Sequence, residues 1–587
     1  MVKIYTSPLE CPPIPNTSVF THLFSSTNYP SSAPAFIDAA TGTSLTRGQI
    51  KHLALSFGYG VRNHPTTSAS AKRGDTVLIY SPNSLTWPVV LFGAVAAGLR
   101  CTLSNTAYNA RELAFQYTDS RAKLIFSSED GVAVVRQTLK ELGVSKAEAD
   151  KRIIVMTESL QWAGGPSVPI KPELAGLLTV ADLLKLGTLK HEEKFEGDLA
   201  NETAYLCYSS GTTGKPKGVE TTHKNIISVL MMVVPAFPPM ESGVDSMLGF
   251  LPFYHIYGAV KLLHFPFTVG APVAIMSRFD PDQFCAYVEK YKITISLIVP
   301  PVLVVLARHP AVDQYDLSSL ETLCSGAAPL GAALSKQVLD RLTPKRKSKK
   351  TLKILQGYGL TETSPTTHLV PPEAAVSKIG SIGVLLPRLE ARLVVDGDGD
   401  GDIDAAEGAP GEIWIRGPSV MKGYLNNTEA TKNAITPDQW FKTGDIAIRD
   451  KDGFYYIVDR RKELIKYKGF QVPPAELESV LLTHPDIADT AVIGVDSAKE
   501  ATELPRAYVV PAHPLKSEAE KAAFSKNIKA WIQTKVARHK FLRGGVVVID
   551  AIPKSAAGKI LRRELRDKAK EELAGRDPSD DNVRAKL

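Results

Sequence analysis

Short apolar runs alternate with helix-length segments along much of the chain. In KRGDTVLIYSPNS (72–84) the apolar centre reads as a buried strand between a loop and a turn, and the run Trp87–Leu99 reads as a buried helix. AKLIFSS (122–128) and RIIVMTE (152–158) read as further strands, with a helix near Val132–Leu142 between them. The alternation resumes in ISLIVPP (295–301), LETLCSGAAP (320–329) and LKILQGYGLTET (352–363), where each strand runs into a turn rich in Gly, Pro or hydroxyls. Strands interleaved with helices predict mainly parallel sheets covered by helices. Ligands of open α/β sheets sit outside the carboxyl ends of the strands, so SGAAP and QGYGLTET are expected to line one site.

From Ile382 the texture becomes β: EARLVVDG, GEIWIRG and DGFYYIVDR predict hairpins and a small β-barrel. A charged cluster, DRRKELIKYKG, follows, and then a compact βα pattern from Pro474 to about Ala574. The expected fold class is α/β. A large N-terminal domain (1–459) of helix-covered, mainly parallel sheets plus a small β-barrel is joined near Asp459–Lys462 to a small, mobile C-terminal α+β domain (460–575), and 576–587 form a flexible tail.

Composition adds few constraints. The 587 residues are 44% hydrophobic and 22% charged, the balance of an ordinary globular protein. A net charge of +7 over this length is mild; it favours anionic small ligands without demanding nucleic acid. The basic run PKRKSKK (344–350) lies between a helix and a buried strand and reads as a solvated loop. Cys11, Cys101, Cys207, Cys285 and Cys324 are scattered and odd in number, which suggests neither a disulfide framework nor a zinc site. The N-terminus has no apolar core of a signal peptide, and Trp87–Leu99 is too short to span a bilayer. Asp396, Asp398, Asp400, Gly401 and Glu407 match a calcium-loop spacing, but strands rather than helices flank them, so a hairpin loop is expected. The last residues, Ala585, Lys586 and Leu587, approximate the peroxisomal S-K-L address, which predicts binding to the import receptor and a peroxisomal matrix location, otherwise a cytoplasmic one.

The richest chemistry is in Tyr208–Gly218, YSSGTTGKPKG, with three glycines, four Ser/Thr hydroxyls and two lysines. Such a loop turns its N–H groups inward and adds hydroxyl and ammonium donors, which suits a polyphosphate. It departs from G-x-x-x-x-G-K-[ST]: Ser209 replaces the first Gly and Pro216 follows Lys215. Pro216 and Gly218 also make a helix directly after the loop unfavourable.

This loop resembles the phosphate loop of the adenylate-forming superfamily of acyl- and aryl-CoA ligases, luciferases and peptide-synthetase adenylation domains. Four further segments resemble that family in the same order: QGYGLTET, KTGD (442–445), DRRKELIKYKGFQVPPAELE (459–478) and PKSAAGKILRREL (553–565). The coumarate–CoA ligases are the nearest branch. The resemblance implies a carboxylic acid, ATP and Mg²⁺ giving an acyl adenylate and pyrophosphate, then coenzyme A giving acyl-CoA and AMP. It assigns ATP or AMP contacts to Ser209, Ser210, Gly211, Thr212, Thr213, Lys217, Gln356, Gly357, Tyr358, Thr361, Asp445, Arg460 and Lys462, and the magnesium to Glu362. Lys559 becomes the catalytic cation of adenylation, Lys466 and Gln471 complete the thioester-forming face, and Lys468, Gly469 and Arg278 contact CoA. His255 gates the mouth of the acyl pocket, and Tyr257, Lys261, Ala327 and Gly357 line it. In this family the small domain rotates between the half-reactions, presenting Lys559 first and the Lys466 face second. Thr363–Thr367 depart from the coumarate ligases, which leaves phenylpropanoid or other aryl acids and medium-chain fatty acids as candidates. Luciferase-type chemistry and the loading of a carrier-protein thiol are the alternatives, the KYKGFQ segment favouring free CoA.

Overall fold

The computed structural model describes residues 2–26, 28–209, 216–328, 330–346, 350–395, 401, 403–468, 470–555 and 558–579. Among these residues, two large sheets dominate. One has eight strands in the order Gly423–Tyr424, Lys217–Thr222, Thr203–Ser209, Arg100–Leu103, Thr76–Tyr80, Ala122–Ser128, Ile153–Met156 and Leu178–Thr179. Its pairings from Thr203–Ser209 onward are parallel. The other has nine, with a parallel centre from Pro34–Asp38 through Val273–Ile275, Met247–Gly249, Ile295–Ile298 and Thr322–Ser325 to Lys353–Gly359, and antiparallel strands at both ends. Strands buried on both faces read as continuous apolar runs, which is why VLIY, ISLI and TLCS were legible. The helix Thr86–Ala96 is buried along its whole length.

Thr203–Ser209 and Lys217–Thr222 form an antiparallel hairpin, with Lys217 opposite Ser209. The chain after Pro216 therefore runs into a strand rather than a helix, as Pro216 and Gly218 require. The expected small barrel is a half-barrel of five antiparallel strands, with Tyr5–Thr6 and Tyr455–Arg460 at its edges. The Asp-rich segment lies on its hairpin between Glu390–Val394 and Gly411–Arg416. Asp396, Asp398 and Asp400 lie outside the described residues. Asp404 is held by Arg392, Nη2 to Oδ1 at 2.8 Å, and among the described residues no cluster of His, Cys, Asp or Glu is suited to a metal.

The largest hydrophobic cluster runs from Val19 to Tyr455, and a second runs from Ile465 to Ala569. The second surrounds the strands Ile487–Ser497, Thr502–Pro511 and Val546–Val548, covered by helices Pro474–Leu481, Glu518–Gln533 and Arg562–Glu572. Arg562 ties this part together by bonding Glu463 at 2.9 Å and Glu478 at 2.6 Å and 3.0 Å in a buried setting. Arg308 reaches across to it and donates to the carbonyls of Ile487 at 2.5 Å and Leu482 at 2.8 Å. All five cysteines are free thiols, and among the described residues no helix is long and apolar enough to cross a membrane. Residues 580–587, which include Ala585–Leu587, lie outside the described residues.

Candidate active site

A cavity of about 950 Å³ opens where the parallel strands of the nine-stranded sheet end against the phosphate-loop hairpin. Gly326 and Ala327 follow the strand Thr322–Ser325, and Gly357 to Glu362 close the neighbouring strand Lys353–Gly359, so the two turns do share one site. The glycines there serve close approach. A Cβ on Gly326 would stand 3.2 Å from the Tyr257 ring, and one on Gly359 would fall 1.9 Å from the Pro365 carbonyl oxygen.

Of the expected residues, Ser209, Lys217, His255, Tyr257, Lys261, Ala327, Gly357, Tyr358, Thr361, Glu362, Arg460, Lys462 and Lys559 line this cavity. Ser210, Gly211, Thr212, Thr213 and Gly469 lie outside the described residues. Gln356 is buried on the strand but does not line the cavity; it borders a small pit beside Leu330 and Ser381. Asp445 also sits behind the wall, because its carboxylate is engaged from the front. Its Oδ2 accepts from the Tyr358 hydroxyl at 2.6 Å and its Oδ1 pairs with Arg460 Nε at 3.3 Å. Arg278 is exposed and stands outside the cavity lining. Lys466 and Gln471 face each other across the small hairpin Ile465–Tyr467/Phe470–Val472, both exposed and outside the cavity. Lys468, on the same hairpin, is paired with Glu500 at 2.9 Å.

The ionisable groups in the cavity have strongly altered acidities. Burial, reinforced by the charge of Arg460, pushes the Lys559 ammonium down to about 8, while Glu463, Asp445 and Glu362 pull it back up. It thus enters the cavity as a desolvated cation facing carboxylates. Its loop is fixed by reciprocal bonds between the Ser555 N–H and the Lys559 carbonyl, 2.8 Å, and between the Lys559 N–H and Ser555 Oγ, 3.2 Å. His255 is pushed down to about 4 by burial and then by the Lys559 charge, so its ring is neutral at pH 7. Its Nδ1 accepts from the Tyr257 N–H at 3.3 Å, which leaves the proton on Nε2. Burial raises Asp445, with Arg460 and Tyr358 opposing.

Two further residues complete the site. Tyr424 donates its hydroxyl to Glu362 Oε1 at 2.9 Å, and its ring lies under Lys217 Nζ at 4.9 Å. It therefore links the expected metal ligand to the phosphate-loop lysine. Asp119 accepts from the Tyr208 hydroxyl at 2.6 Å and anchors the first strand of the hairpin. Neither was legible from sequence: Tyr424 reaches the site only because Gly423–Tyr424 pairs with Val219–Glu220, some two hundred residues away. The one local signal was a Gly-Tyr pair just before the turn residues Asn426 and Asn427.

Glu362 suits Mg²⁺, a cation usually held by one or two carboxylates together with substrate phosphates rather than by an all-protein cage. When bound, Mg²⁺ would neutralise phosphate charge there.

Residues 24–425 match the AMP-binding enzyme family, and residues 476–559 match the AMP-binding enzyme C-terminal domain. The chain is 37% identical over 518 residues to a probable 4-coumarate–CoA ligase 1 of Dictyostelium discoideum, with 84% of this chain and 86% of that protein covered. It is 34% identical over 563 residues to the peroxisomal OPC-8:0-CoA ligase 1 of Arabidopsis thaliana, with 95% and 94% covered. Its fold superposes with a TM-score of 0.73 on the o-succinylbenzoate CoA synthetase of Bacillus subtilis solved with its acyl-adenylate intermediate, at 25% identity over 94% of this chain and 98% of that one. The chain belongs to the AMP-binding enzyme family and, within it, to the coumarate–CoA ligase-like acid–CoA ligases, which use ATP to join an acid to coenzyme A through an acyl adenylate.

Proposed function

We propose that the protein activates a phenylpropanoid or related aryl acid with ATP and Mg²⁺ and transfers it to coenzyme A. The observation that carries this reading is the entry of the desolvated Lys559 ammonium into the cavity opposite Glu362 and beside the Arg460–Asp445 pair. A carboxylate oxygen attacks the α-phosphorus and pyrophosphate leaves. Lys559 stabilises the negative charge shared by the carboxylate and α-phosphate oxygens. Ser209 and Lys217, paired across the hairpin, hold the outer phosphates, Glu362 would hold Mg²⁺, and Thr361 and Tyr358 border the nucleotide. Arg460, backed by Asp445, addresses the ribose. Neutral His255 separates the nucleotide from the acyl pocket, whose walls include Tyr257, Val233, Phe237, Phe265 and Leu297. The aromatic share of these walls, with Phe237 and Phe265 edge to face at 4.9 Å, favours an aryl acid.

In the second step the CoA thiolate attacks the acyl carbonyl and AMP leaves. Lys466, Gln471, Lys468 and Gly469 serve this step after the unit 460–575 has rotated against 1–459 about a hinge near Lys462. The separation of the two hydrophobic clusters between Tyr455 and Ile465 supports that division. A medium-chain fatty acid is the second reading, and the Arabidopsis relative, named as a peroxisomal ligase, supports a peroxisomal location. Imaging of the full chain fused at its N-terminus to a fluorescent protein tests the latter: punctate signal coincident with peroxisomes is expected, and a diffuse cytosolic one contradicts it.

Mass spectrometry of products formed from ATP, Mg²⁺, CoA and a mixed panel of aromatic and aliphatic acids tests the reaction. A dominant aryl-CoA is the expected result. A dominant medium-chain acyl-CoA would replace the substrate class. Pyrophosphate release without any acyl-CoA would favour a luciferase or a carrier-loading enzyme.

A further inference from the structure

Lys261 is a buried amine with no hydrogen-bond or ion-pair partner among the described residues. It lies on a continuous helical run formed by Ile256–Gly258, a π-helical turn Ala259–His264, and Phe265–Val269. Single π-turns within helices concentrate at functional sites. The side chain lines the acyl end of the cavity, yet the residue is only 5% exposed and Nζ makes no hydrogen bond. Its nearest aromatic neighbour is Phe265, with Nζ 5.5 Å from the ring centre.

No described residue hydrogen-bonds to it. The Tyr257 hydroxyl is spent on the Cys324 carbonyl at 3.2 Å. His264 is spent on the Tyr205 hydroxyl at 2.7 Å and the Ala259 carbonyl at 2.8 Å. Burial pushes the Cys324 thiol up to about 12, so it supplies no anion at neutral pH. Of the other buried cations, Arg392 is paired with Asp404, Arg506 with Glu572 and Arg562 with Glu478, and Arg47 donates to the Phe267 carbonyl at 3.0 Å. An unpaired ammonium in an apolar pocket is costly, so the Lys261 amine gives up part of its charge on its own and is fully charged only beside an acidic group that a ligand brings. Six residues of helical run, about 9 Å at 1.5 Å per residue, separate Lys261 from His255, whose acidity is coupled to Lys559 at the reacting end. A group bound to Lys261 therefore belongs to the far end of the acid.

We infer that Lys261 determines specificity for the distal end of the substrate, which carries, opposite its reacting carboxylate, a second acidic oxygen group (a phenol or a carboxylate) that pairs with Lys261 Nζ. The inference rests on the acid-activating reading above and narrows it. A site built around a polar substrate group strongly rejects the analogue that lacks it, because its own buried group is then left unpaired.

Matched pairs test this: cinnamate against 4-coumarate, and octanoate against octanedioate, with the wild-type protein and Lys261→Met. The wild type is expected to favour the substituted member of one pair by on the order of 100-fold in kcat/KM, mainly through KM. The pair that shows the preference tells phenol from carboxylate. Lys261→Met should bring that ratio close to one, with unimpaired thermal stability as the control for folding. Ratios within a few-fold for both pairs in the wild type would overturn the inference, and so would a ratio unchanged in a folded Lys261→Met. Calorimetric binding of the same acids without ATP reads the same preference. Absence of acyl-CoA alone would then count against the activation reading, and equal binding within both pairs against Lys261.

Discussion

Two lysines of the C-terminal region stand in opposite settings. Lys559 is buried in the cavity, its acidity shifted by desolvation and Arg460, with Glu463, Asp445 and Glu362 around it. Lys466 projects from an exposed hairpin, outside the cavity, opposite Gln471. The same side chain is a poised cation in one place and a solvated one in the other, and the difference is made by burial and neighbours, not by sequence context. Under the proposed roles, this arrangement presents Lys559 for adenylation and turns Lys466 and Gln471 away from the cavity.

The largest effect that would break this contrast comes from Lys559→Ala. It should lower ATP–pyrophosphate exchange by about 10²–10³-fold, the usual loss when a charge-stabilising group is removed from a transition state. Lys466→Ala should leave exchange near the wild-type rate, and comparable losses in both variants would erase the distinction.

A pH profile sharpens the comparison next. In the proposed role Lys559 works as the protonated ammonium, which burial lowers to about 8, so adenylation should decline as pH rises through about 8, approaching tenfold per pH unit beyond it. Lys559→Arg, which stays charged, should abolish that alkaline limb even if its rate is lower. A limb that survives in the arginine variant would assign the titration to another group.

A smaller effect concerns what holds Lys559 in place. Arg308 links the two hydrophobic units through the carbonyls of Leu482 and Ile487. Hydrogen bonds from charged groups contribute roughly 1.5–3 kcal/mol, so Arg308→Ala should slow adenylation by roughly 10- to 150-fold and spare thioester formation from supplied acyl adenylate. Separate half-reaction assays check this.

The smallest effect is on stability. Lys261 is held by burial at about 7, far below the ordinary lysine value of 10.5, so between these two values the unfolded chain binds the extra proton and the wild type gains stability as pH rises. Lys261→Met has no such slope. Its gain over wild type, roughly 1–4 kcal/mol, should be greatest below pH 7 and shrink toward pH 10.5. Denaturant unfolding at several pH values measures it; a variant less stable than wild type at pH 6 would mean that Lys261 is paired.

Much of the frame was legible in the sequence. VLIY, ISLI and TLCS are apolar on both faces because their sheets are covered on both sides, and Pro216 correctly denied a helix after the phosphate loop. The half-barrel was read as a small barrel, but its edge strand Tyr5–Thr6 was not, because it pairs with Glu390–Ala391 from the other end of the domain and leaves no local record. The segments around Lys559, Glu362 and Arg460 were identifiable as motifs, and the cavity brings them together. Tyr424, the recessed position of Asp445 and the missing partner of Lys261 were not. Each depends on which side chains meet across distant strands, and pairing of that kind is set by packing rather than by spacing.

The most direct measurement is single-turnover thioester formation from purified acyl adenylate and CoA, comparing Lys559→Ala with Lys466→Ala. Near wild-type transfer by Lys559→Ala and strongly impaired transfer by Lys466→Ala are the expected results, since only the second face would serve this step. Equal impairment of the two variants would contradict a division of labour between the buried lysine and the exposed one.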